Sequence, residues 1–160
     1  MDLARMLADA RFYGAKSEPV DAVDIVSETP AGDARLLIMR VNGRHLYQVL
    51  VDADGHDILH DSPELYLAAR HLPQGEAKAI DGEQSNTSLI VDDRMVKVFR
   101  HLEPGLNPDV ELLSQIADCP NIAPVRDWVS ETIDGEEHTL AMVQDFVPDA
   151  DDGWRYALGF

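Results

Sequence analysis

The sequence contains a single cysteine, Cys119, among its 160 residues. One cysteine excludes an internal disulfide framework, and the first residues do not show the charged segment followed by an apolar one that is typical of a secretory signal. No apolar run approaches the roughly 20 residues that a transmembrane helix needs. These absences predict a cytoplasmic protein that does not insert into a membrane.

Basic residues are also scarce, because 13 lysines and arginines stand against 30 acids and give a formal net charge of −17. Such a charge repels nucleic acid phosphates and anionic lipid headgroups, so neither is an expected partner. Apolar residues make up 45% of the chain and charged residues 27%, which is typical of a globular protein that can bury a proper core.

Hydrophobic spacing in the first half predicts a short helix, an antiparallel meander of three strands and a second helix. Asn42 and Gly43 are a strong signal for a two-residue hairpin turn. Ser62 and Pro63 fit the N-cap and first residue of the second helix. The predicted elements are a helix over 2–10, strands over Val20–Val26, Leu36–Val41 and His45–Val51, and a helix over Leu65–His71.

The second half predicts three strands, a helix and two further strands. The helix has a well-formed start in Asn107, Pro108 and Asp109, with Asn107 as the N-cap. Its predicted buried stripe consists of Val110, Leu113, Ile116 and Ala117. The predicted elements are strands over Lys78–Ile80, Ser88–Val91 and Met95–Arg100, a helix over Pro108–Asp118, and strands over Ala123–Ser130 and Thr139–Val147 around a turn at Asp134 and Gly135.

The two halves together predict an α+β fold. A curved antiparallel sheet with flanking helices is followed by a five-stranded antiparallel sheet with one helix. The Leu-Pro-Gln-Gly stretch at 72–75 breaks the pattern and is the candidate boundary. We therefore predict a first subdomain over residues 1–75 and a second over residues 76–160.

Lys97 is the first candidate for chemistry, because it lies between Val96 and Val98 on a predicted strand and points to one face of a half-buried sheet. It could contact nucleotide phosphates, or it could be an edge lysine that keeps its ammonium in water. Glu111, outside the buried stripe of the helix, could reach Lys97 or stay solvated. If the two pair in a partly buried cleft, the pair positions the ammonium more than it stabilises the fold. Spacing alone favours the solvated alternative for both.

A polar loop supplies backbone N–H groups and hydroxyls that suit a phosphate. It has one glycine where a kinase loop usually has three, and its glutamate would partly repel an anion, so a polar hairpin is the alternative. The loop consists of Gly82, Glu83, Gln84, Ser85, Asn86, Thr87 and Ser88.

The last predicted strand runs into Pro148, and its final residues, Gln144, Asp145 and Phe146, lie where an adenine-binding hinge would be. An ordinary terminal strand is the alternative.

The remaining polar residues predict no metal site and no catalytic residue. The six histidines lack a repeated ligand spacing. The segment 52–57 has a glycine misplaced for a calcium loop, and Pro63 occupies the final ligand position. Cys119 has no evident base beside it, and the acids at 149, 151 and 152 fit a solvated turn.

Five segments resemble the amino-terminal half of actinobacterial maltokinases, which are related to aminoglycoside phosphotransferase-like sugar kinases. The resemblance covers nearly the whole chain, and its specificity lies in the order and spacing of the segments. They are RFYGAK at 11–16, LYQVLV at 46–51, GEQSNTS at 82–88, MVKVFRHLEPGLNPDVEL at 95–112 and LAMVQDFVPDADDGW at 140–154.

The resemblance implies an N-terminal cap subdomain followed by a subdomain like a kinase N-lobe, with the family's helical C-lobe absent. It implies that Lys97 contacts phosphate, that Glu111 is its helix partner, that residues 82–88 form the phosphate loop, and that residues 144–146 form the adenine hinge. The family's catalytic base and metal ligands belong to C-lobe motifs of the HGD and IDFE type, and neither motif occurs in this sequence. We therefore expect negligible maltose phosphorylation by this polypeptide alone.

Three functional hypotheses follow from the resemblance. The leading one is a non-catalytic interaction or regulatory module in trehalose, maltose or α-glucan metabolism that docks on trehalose synthase. The alternative is the ATP-binding half of a split or truncated maltokinase that turns ATP and maltose into ADP and maltose 1-phosphate once a C-lobe is supplied in trans. A nucleotide-binding sensor is the third. No cofactor is required, ATP with magnesium is a possible ligand, and a homodimer through an exposed apolar patch is plausible.

Overall fold

The protein is described from a computed structural model, which covers residues 2–14, 16–80, 85–148 and 159. Two antiparallel sheets and three helices confirm the predicted α+β class, and the described residues contain no helical C-lobe. The helices are α1 (Leu3–Asp9), α2 (Pro63–Ala69) and α3 (Pro108–Gln115). The strands are β1 (Val23–Ala31), β2 (Ala34–Val41), β3 (His45–Val51), β4 (Ala77–Ile80), β5 (Asn86–Val91), β6 (Arg94–Phe99), β7 (His101–Leu102), β8 (Val125–Ile133) and β9 (Glu136–Asp145).

The first sheet has the strand order β1-β2-β3-β7 and is covered on both sides. One face packs against α1 and the pair Phe12 and Tyr13, and the other packs against the second sheet. Strands β2 and β3 are therefore buried on both faces, which explains why they are continuous apolar runs and do not alternate.

The hairpin between β2 and β3 is longer than predicted by one residue. Val41 pairs with His45, so the connection is Asn42, Gly43 and Arg44. Both Asn42 and Gly43 have positive φ, 52° and 70°, which these two residue types adopt with little strain. The turn residues and the strand ends on either side were predicted correctly, but the length of the turn was not.

The second sheet has the order β4-β5-β6-β9-β8. One face of this sheet forms a single core with the first sheet and α2, and we call it the inner face. The opposite side is called the Lys97 face below. The inner-face residues are Ala79, Leu89, Val91, Val96, Val98, Ala141 and Val143.

Strand β7 was not predicted, because two residues are too few to show a period. It follows β6 directly and pairs with β3, with Leu46 opposite Leu102 and Tyr47 opposite His101. A segment from the predicted second subdomain thus completes the sheet of the first. The division at 75 and 76 stays a prediction.

Several boundaries differ from those predicted. Strand β1 begins three residues later than expected and continues through Pro30, which an edge strand tolerates. Helix α3 ends at Gln115, three residues earlier than expected. Val110 of its predicted buried stripe is buried and Leu113 is partly buried, whereas the prediction is wrong for Ile116 and Ala117, which follow the end of the helix and are exposed.

No helix within the described ranges combines the length and apolar character needed to cross a membrane.

Candidate functional site

Lys97 lies in the middle of β6 and points away from the first sheet. Its neighbours Val96 and Val98 are fully buried on the inner face. Because side chains alternate along a strand, Lys97 must lie on the opposite face, in one row with Ser88 of β5 and Met142 of β9. The side chain is 17% exposed, so its ammonium is close to solvent but shielded from most of it.

Lys97 forms an ion pair with Asp109. The distance from Lys97 Nζ to Asp109 Oδ2 is 2.9 Å. Asp109 occupies the first turn of α3, where Asn107 accepts a hydrogen bond from its backbone N–H at 2.9 Å and the helix dipole favours a negative charge. Glu111, the partner indicated by the resemblance, is exposed on the same helix two residues further on.

This ion pair holds the ammonium in place and adds little to the stability of the fold. The Asp109 side chain is 49% exposed, so solvent screens the attraction. The arrangement is that of an ammonium held by a carboxylate near the surface of the sheet.

The predicted phosphate loop is described only in part. Gly82, Glu83 and Gln84 lie outside the described residues, Ser85 is exposed, and residues 86–88 begin β5. Ser88 is 6% exposed and lies directly opposite Lys97. Thr87 has its side chain on the other face, where its Oγ1 accepts a hydrogen bond from Arg100 Nε at 2.9 Å.

The predicted adenine hinge lies at the end of β9. Asp145 is held between two arginines, with Arg94 Nη1 and Arg126 Nη2 each 2.6 Å from a carboxylate oxygen. The hydrogen bonds from Arg126 hold the pKa of Asp145 below its ordinary value, and those same bonds raise the pKa of Arg126. This end of the sheet is therefore fixed at neutral pH.

Two backbone N–H groups of the predicted hinge already donate hydrogen bonds to other backbone carbonyls. The backbone N–H of Asp145 donates to Pro124 O at 3.2 Å, and that of Phe146 donates to Asp93 O at 2.9 Å. A hydrogen bond to an adenine ring would therefore come from further along the chain, where Val147 is the next donor before Pro148.

The Lys97 face also offers an apolar surface next to the lysine. Ile90 of β5, Met95 of β6 and Gln144 of β9 form one row across three strands, and all three are partly exposed. Trp128 of β8 lies opposite Met142 in the row of Lys97 and is 42% exposed. A flat aromatic group could pack on this surface while a phosphate reached Lys97.

Arg100 is a functional candidate that sequence reasoning missed. It is 2% exposed and follows β6 directly. Its guanidinium binds Asp57 with both nitrogens, at 2.7 Å from Nη2 to Oδ2 and 3.2 Å from Nη1 to Oδ1. It also donates to Gln48 O at 3.2 Å and lies 4.4 Å from the centroid of the Phe12 ring.

Arg100 thus joins the N-terminal segment, the turn after β3 and the Thr87 end of β5. Gln48, itself buried, donates from Nε2 to Phe99 O at 2.7 Å and to Leu140 O at 2.6 Å, and its Oε1 accepts from the hydroxyl of Tyr66 at 3.0 Å. No sequence signal relates these residues, because the partners are far apart in the chain and follow no period.

Among the described residues, one group has the geometry to hold a metal, namely Asp52, Asp54 and His56. Asp52 Oδ1 accepts the backbone N–H groups of Asp54 and His56 at 3.0 and 2.9 Å. These hydrogen bonds hold the pKa of Asp52 below its ordinary value, and the one from the His56 N–H has the largest effect. They are the bonds of a turn, and the turn belongs to the first sheet, so this group does not serve the Lys97 face.

No protein-family model matches the chain. Its fold is similar to that of glucosamine kinase in two solved crystal forms, with TM-scores of 0.58 and 0.59 at 17% sequence identity. A glucosamine kinase in complex with glucosamine, ADP and inorganic phosphate is similar with a TM-score of 0.53 at 19% identity. Each match covers 97% of this chain and 43% or 44% of the other, so the chain spans less than half the length of these kinases. At this identity the likeness shows the fold, a kinase-like fold that occurs in a sugar kinase.

Proposed function

We propose that this chain is the nucleotide-binding part of a sugar kinase and that it transfers phosphate only together with a helical lobe. The observation that carries the proposal is the Lys97 face, where a positioned ammonium adjoins a partly exposed apolar surface. The resemblance to maltokinases makes maltose the first sugar to test, with maltose 1-phosphate and ADP as products.

Charge and shape support nucleotide binding on this face. Lys97 would contact the phosphates, and Ile90 and Met95 would lie against the base. Fixing the phosphates in this way lowers the entropic cost of transfer, and the lysine charge offsets the negative charge of the transferred group. The chain supplies orientation and charge, and the general base must come from another polypeptide or another part of a longer one.

The described residues of this face include no group with the geometry of a metal site, and the Asp52 group belongs to the turn after β3. Magnesium is usually held by one or two carboxylates together with substrate phosphates. In this proposal its protein ligands belong to the helical lobe.

Calorimetric titration of the 160-residue chain with ATP tests the binding step. Replacing Lys97 by Ala should weaken ATP binding about tenfold or more, because a charge-assisted hydrogen bond to phosphate is lost. The matched control is Lys16→Ala, which removes an exposed lysine between α1 and β1 and should leave the affinity unchanged. Equal affinities for the wild type and Lys97→Ala would overturn the proposal.

Fluorescence locates the nucleotide independently. The chain has two tryptophans, Trp128 and Trp154, so Trp154→Phe leaves Trp128 as the single reporter. ADP should change the emission of Trp128, and Met95→Ala should reduce both the change and the affinity. Binding without any change in Trp128 emission would place the nucleotide elsewhere.

A separate assay tests the transfer of phosphate from ATP to a sugar. A coupled ADP-release measurement with maltose and other sugars should show negligible turnover for this chain alone and sugar-dependent turnover after addition of a helical lobe that carries HGD and IDFE motifs. Turnover on the order of one per second by the chain alone would contradict the proposal that phosphoryl transfer needs a helical lobe.

A second candidate is a non-catalytic module that docks on another protein, and the exposed apolar residues around α3 favour it. Leu112 is 58% exposed and Ile116 39%, one helical turn apart on the same side of α3, and Leu106 is 44% exposed just before the helix. By the resemblance, trehalose synthase is the partner to test.

Size-exclusion chromatography of this chain with trehalose synthase at micromolar concentrations distinguishes the two candidates. A stable complex that Leu112→Glu abolishes would support docking, and no complex would count against it. Light scattering of the chain alone measures a homodimer in the same experiment.

A further inference from the structure

A cavity of about 690 Å³ lies where the ends of β4 and β5 meet the N-terminal segment. Among the described residues, three parts of the chain line it: α1 with the three residues that follow it, the turn after β3, and the ends of β4 and β5. Thr87 in the lining lies opposite Val98 of the inner face, whereas Asn86 lies opposite Phe99, on the same side of the sheet as Lys97. The cavity is therefore at the end of the sheet, and neither Lys97 nor Met95 is among the described residues that line it.

The charges around the cavity nearly balance. The described residues of its lining include three arginines, Arg5, Arg11 and Arg100, and four aspartates, of which Asp57 is already bound to Arg100. A phosphorylated ligand would meet the repulsion of the remaining aspartates, and a polycation would meet that of the arginines. The balance favours a neutral ligand that both donates and accepts hydrogen bonds.

Apolar side chains complete the lining. Met6, Phe12 and Ile80 border the cavity beside the polar groups Asn86 and Thr87. Cavities of roughly 300–1,000 Å³ with an apolar wall and a few polar groups are typical of small-molecule sites. A sugar ring suits such a lining, because its C–H groups form apolar patches and its hydroxyls donate and accept hydrogen bonds.

The geometry points to a binding site for a neutral polyhydroxylated ligand of monosaccharide to disaccharide size in this cavity. Lys97 is not among the described residues that line the cavity, and the site does not depend on the proposed function. The side chains that face the ligand are those of Arg5, Asp9 and Arg11 from the N-terminal segment and Asn86 from β5.

Amide NMR spectra of the 160-residue chain test the site, with glucose, maltose and inorganic phosphate as separate probes. Millimolar sugar should shift the amides of residues 5–12 and 86–87, and phosphate should not. Shifts confined to other residues, no shifts with either sugar, or stronger shifts with phosphate at these residues would each overturn the proposal.

Variants identify the side chains involved. Asp9→Ala and Arg11→Ala remove exposed side chains and should each weaken sugar binding about fivefold, the effect of one lost hydrogen bond. Arg44→Ala, an exposed arginine outside the cavity lining, is the matched control and should leave binding unchanged. Lys97→Ala should likewise leave sugar binding unchanged, so a failure of nucleotide binding and a failure of this site are told apart. Unchanged binding in both cavity variants would overturn the assignment.

Discussion

The two faces of the second sheet differ in what their side chains contact. The apolar residues that define the inner face are closed against the first sheet and α2, and Leu89, Val96 and Val98 are at most 1% exposed. The Lys97 face carries Lys97, Ile90 and Met95, which solvent reaches in part. Adjacent residues of one strand thus serve different purposes, because alternation sends one into the core and the next to the surface.

This difference predicts where substitutions affect stability and where they affect binding. Free energy from burial is concentrated on the inner face, where area is removed from water. On the Lys97 face the groups are partly hydrated and can exchange water for a ligand. Substitutions on the inner face should therefore lower stability, and substitutions on the Lys97 face should lower affinity.

The largest expected effect compares two neighbours on β5. Leu89→Ala should lower the free energy of unfolding by about 3–4 kcal/mol, because it leaves a cavity in the closed core. Ile90→Ala, one residue away on the partly exposed face, should cost about 1 kcal/mol. Urea unfolding of both variants measures the difference, and equal losses would contradict the assignment of faces.

The second-largest effect is expected at the buried ion pair between Asp57 and Arg100, at the end of the inner face. Asp57→Ala should cost about 3 kcal/mol, because it leaves the Arg100 guanidinium buried without its carboxylate. The control is Asp61→Ala, which removes an exposed acid a few residues away and should change little. Thermal and urea unfolding of the two variants check this, and a small loss for Asp57→Ala would show that Arg100 gains compensating contacts.

Lys97→Ala should have a small effect on stability, less than about 1 kcal/mol, since its ion pair with Asp109 is half-exposed. Its effect on ATP binding should exceed its effect on unfolding, which is the opposite of the order for Leu89→Ala. Unfolding curves with and without ATP measure both quantities on one sample. A loss of stability as large as that of Leu89→Ala would mean that Lys97 is a core residue.

The smallest expected effect is a pH dependence where the two sheets meet. His101 of β7 stacks on Tyr47 with ring centroids 4.9 Å apart and lies 5.6 Å from the His45 ring. Burial holds the pKa of His101 below its ordinary value, while the Glu103 carboxylate partly offsets this and His45 adds to it.

The unfolded chain therefore binds the proton more readily than the folded one. The contribution of His101 to stability is complete above the unfolded pKa of about 6.5 and is lost as the pH falls towards the folded pKa. Melting temperatures measured over this range should fall on acidification less steeply for His101→Gln than for the wild type. Parallel curves would assign the dependence to another group.

The sequence predicted the elements of the fold well because most of them have a local cause. Asn42 and Gly43 marked a turn, Asn107 and Pro108 marked a helix start, and the apolar runs marked the strands. Long-range pairing had no such signal, so β7 was missed. The early end of α3 was missed as well, because its apolar residues continue past Gln115 and nothing local showed that Ile116 lacks a surface to pack on.

The residues of the candidate site also divide into those that the sequence predicted and those that it did not. Lys97 was found because a lysine inside an apolar strand is conspicuous, and Asp109 was noted for its helix start but not as the lysine's partner. Distinguishing Asp109 from Glu111 required the angle between α3 and the sheet, which no pattern in the chain encodes. Arg100, Asp57 and Gln48 meet only after the two sheets pack together.

The strand β7 has a consequence for how the protein forms on the ribosome. Its two residues come from the second half of the chain, yet they complete the hydrogen bonds at one edge of the first sheet. During synthesis this edge, with His45, Leu46 and Tyr47, stays open until residue 102 has emerged. The first sheet therefore receives its fourth strand only after residue 102 has been synthesised.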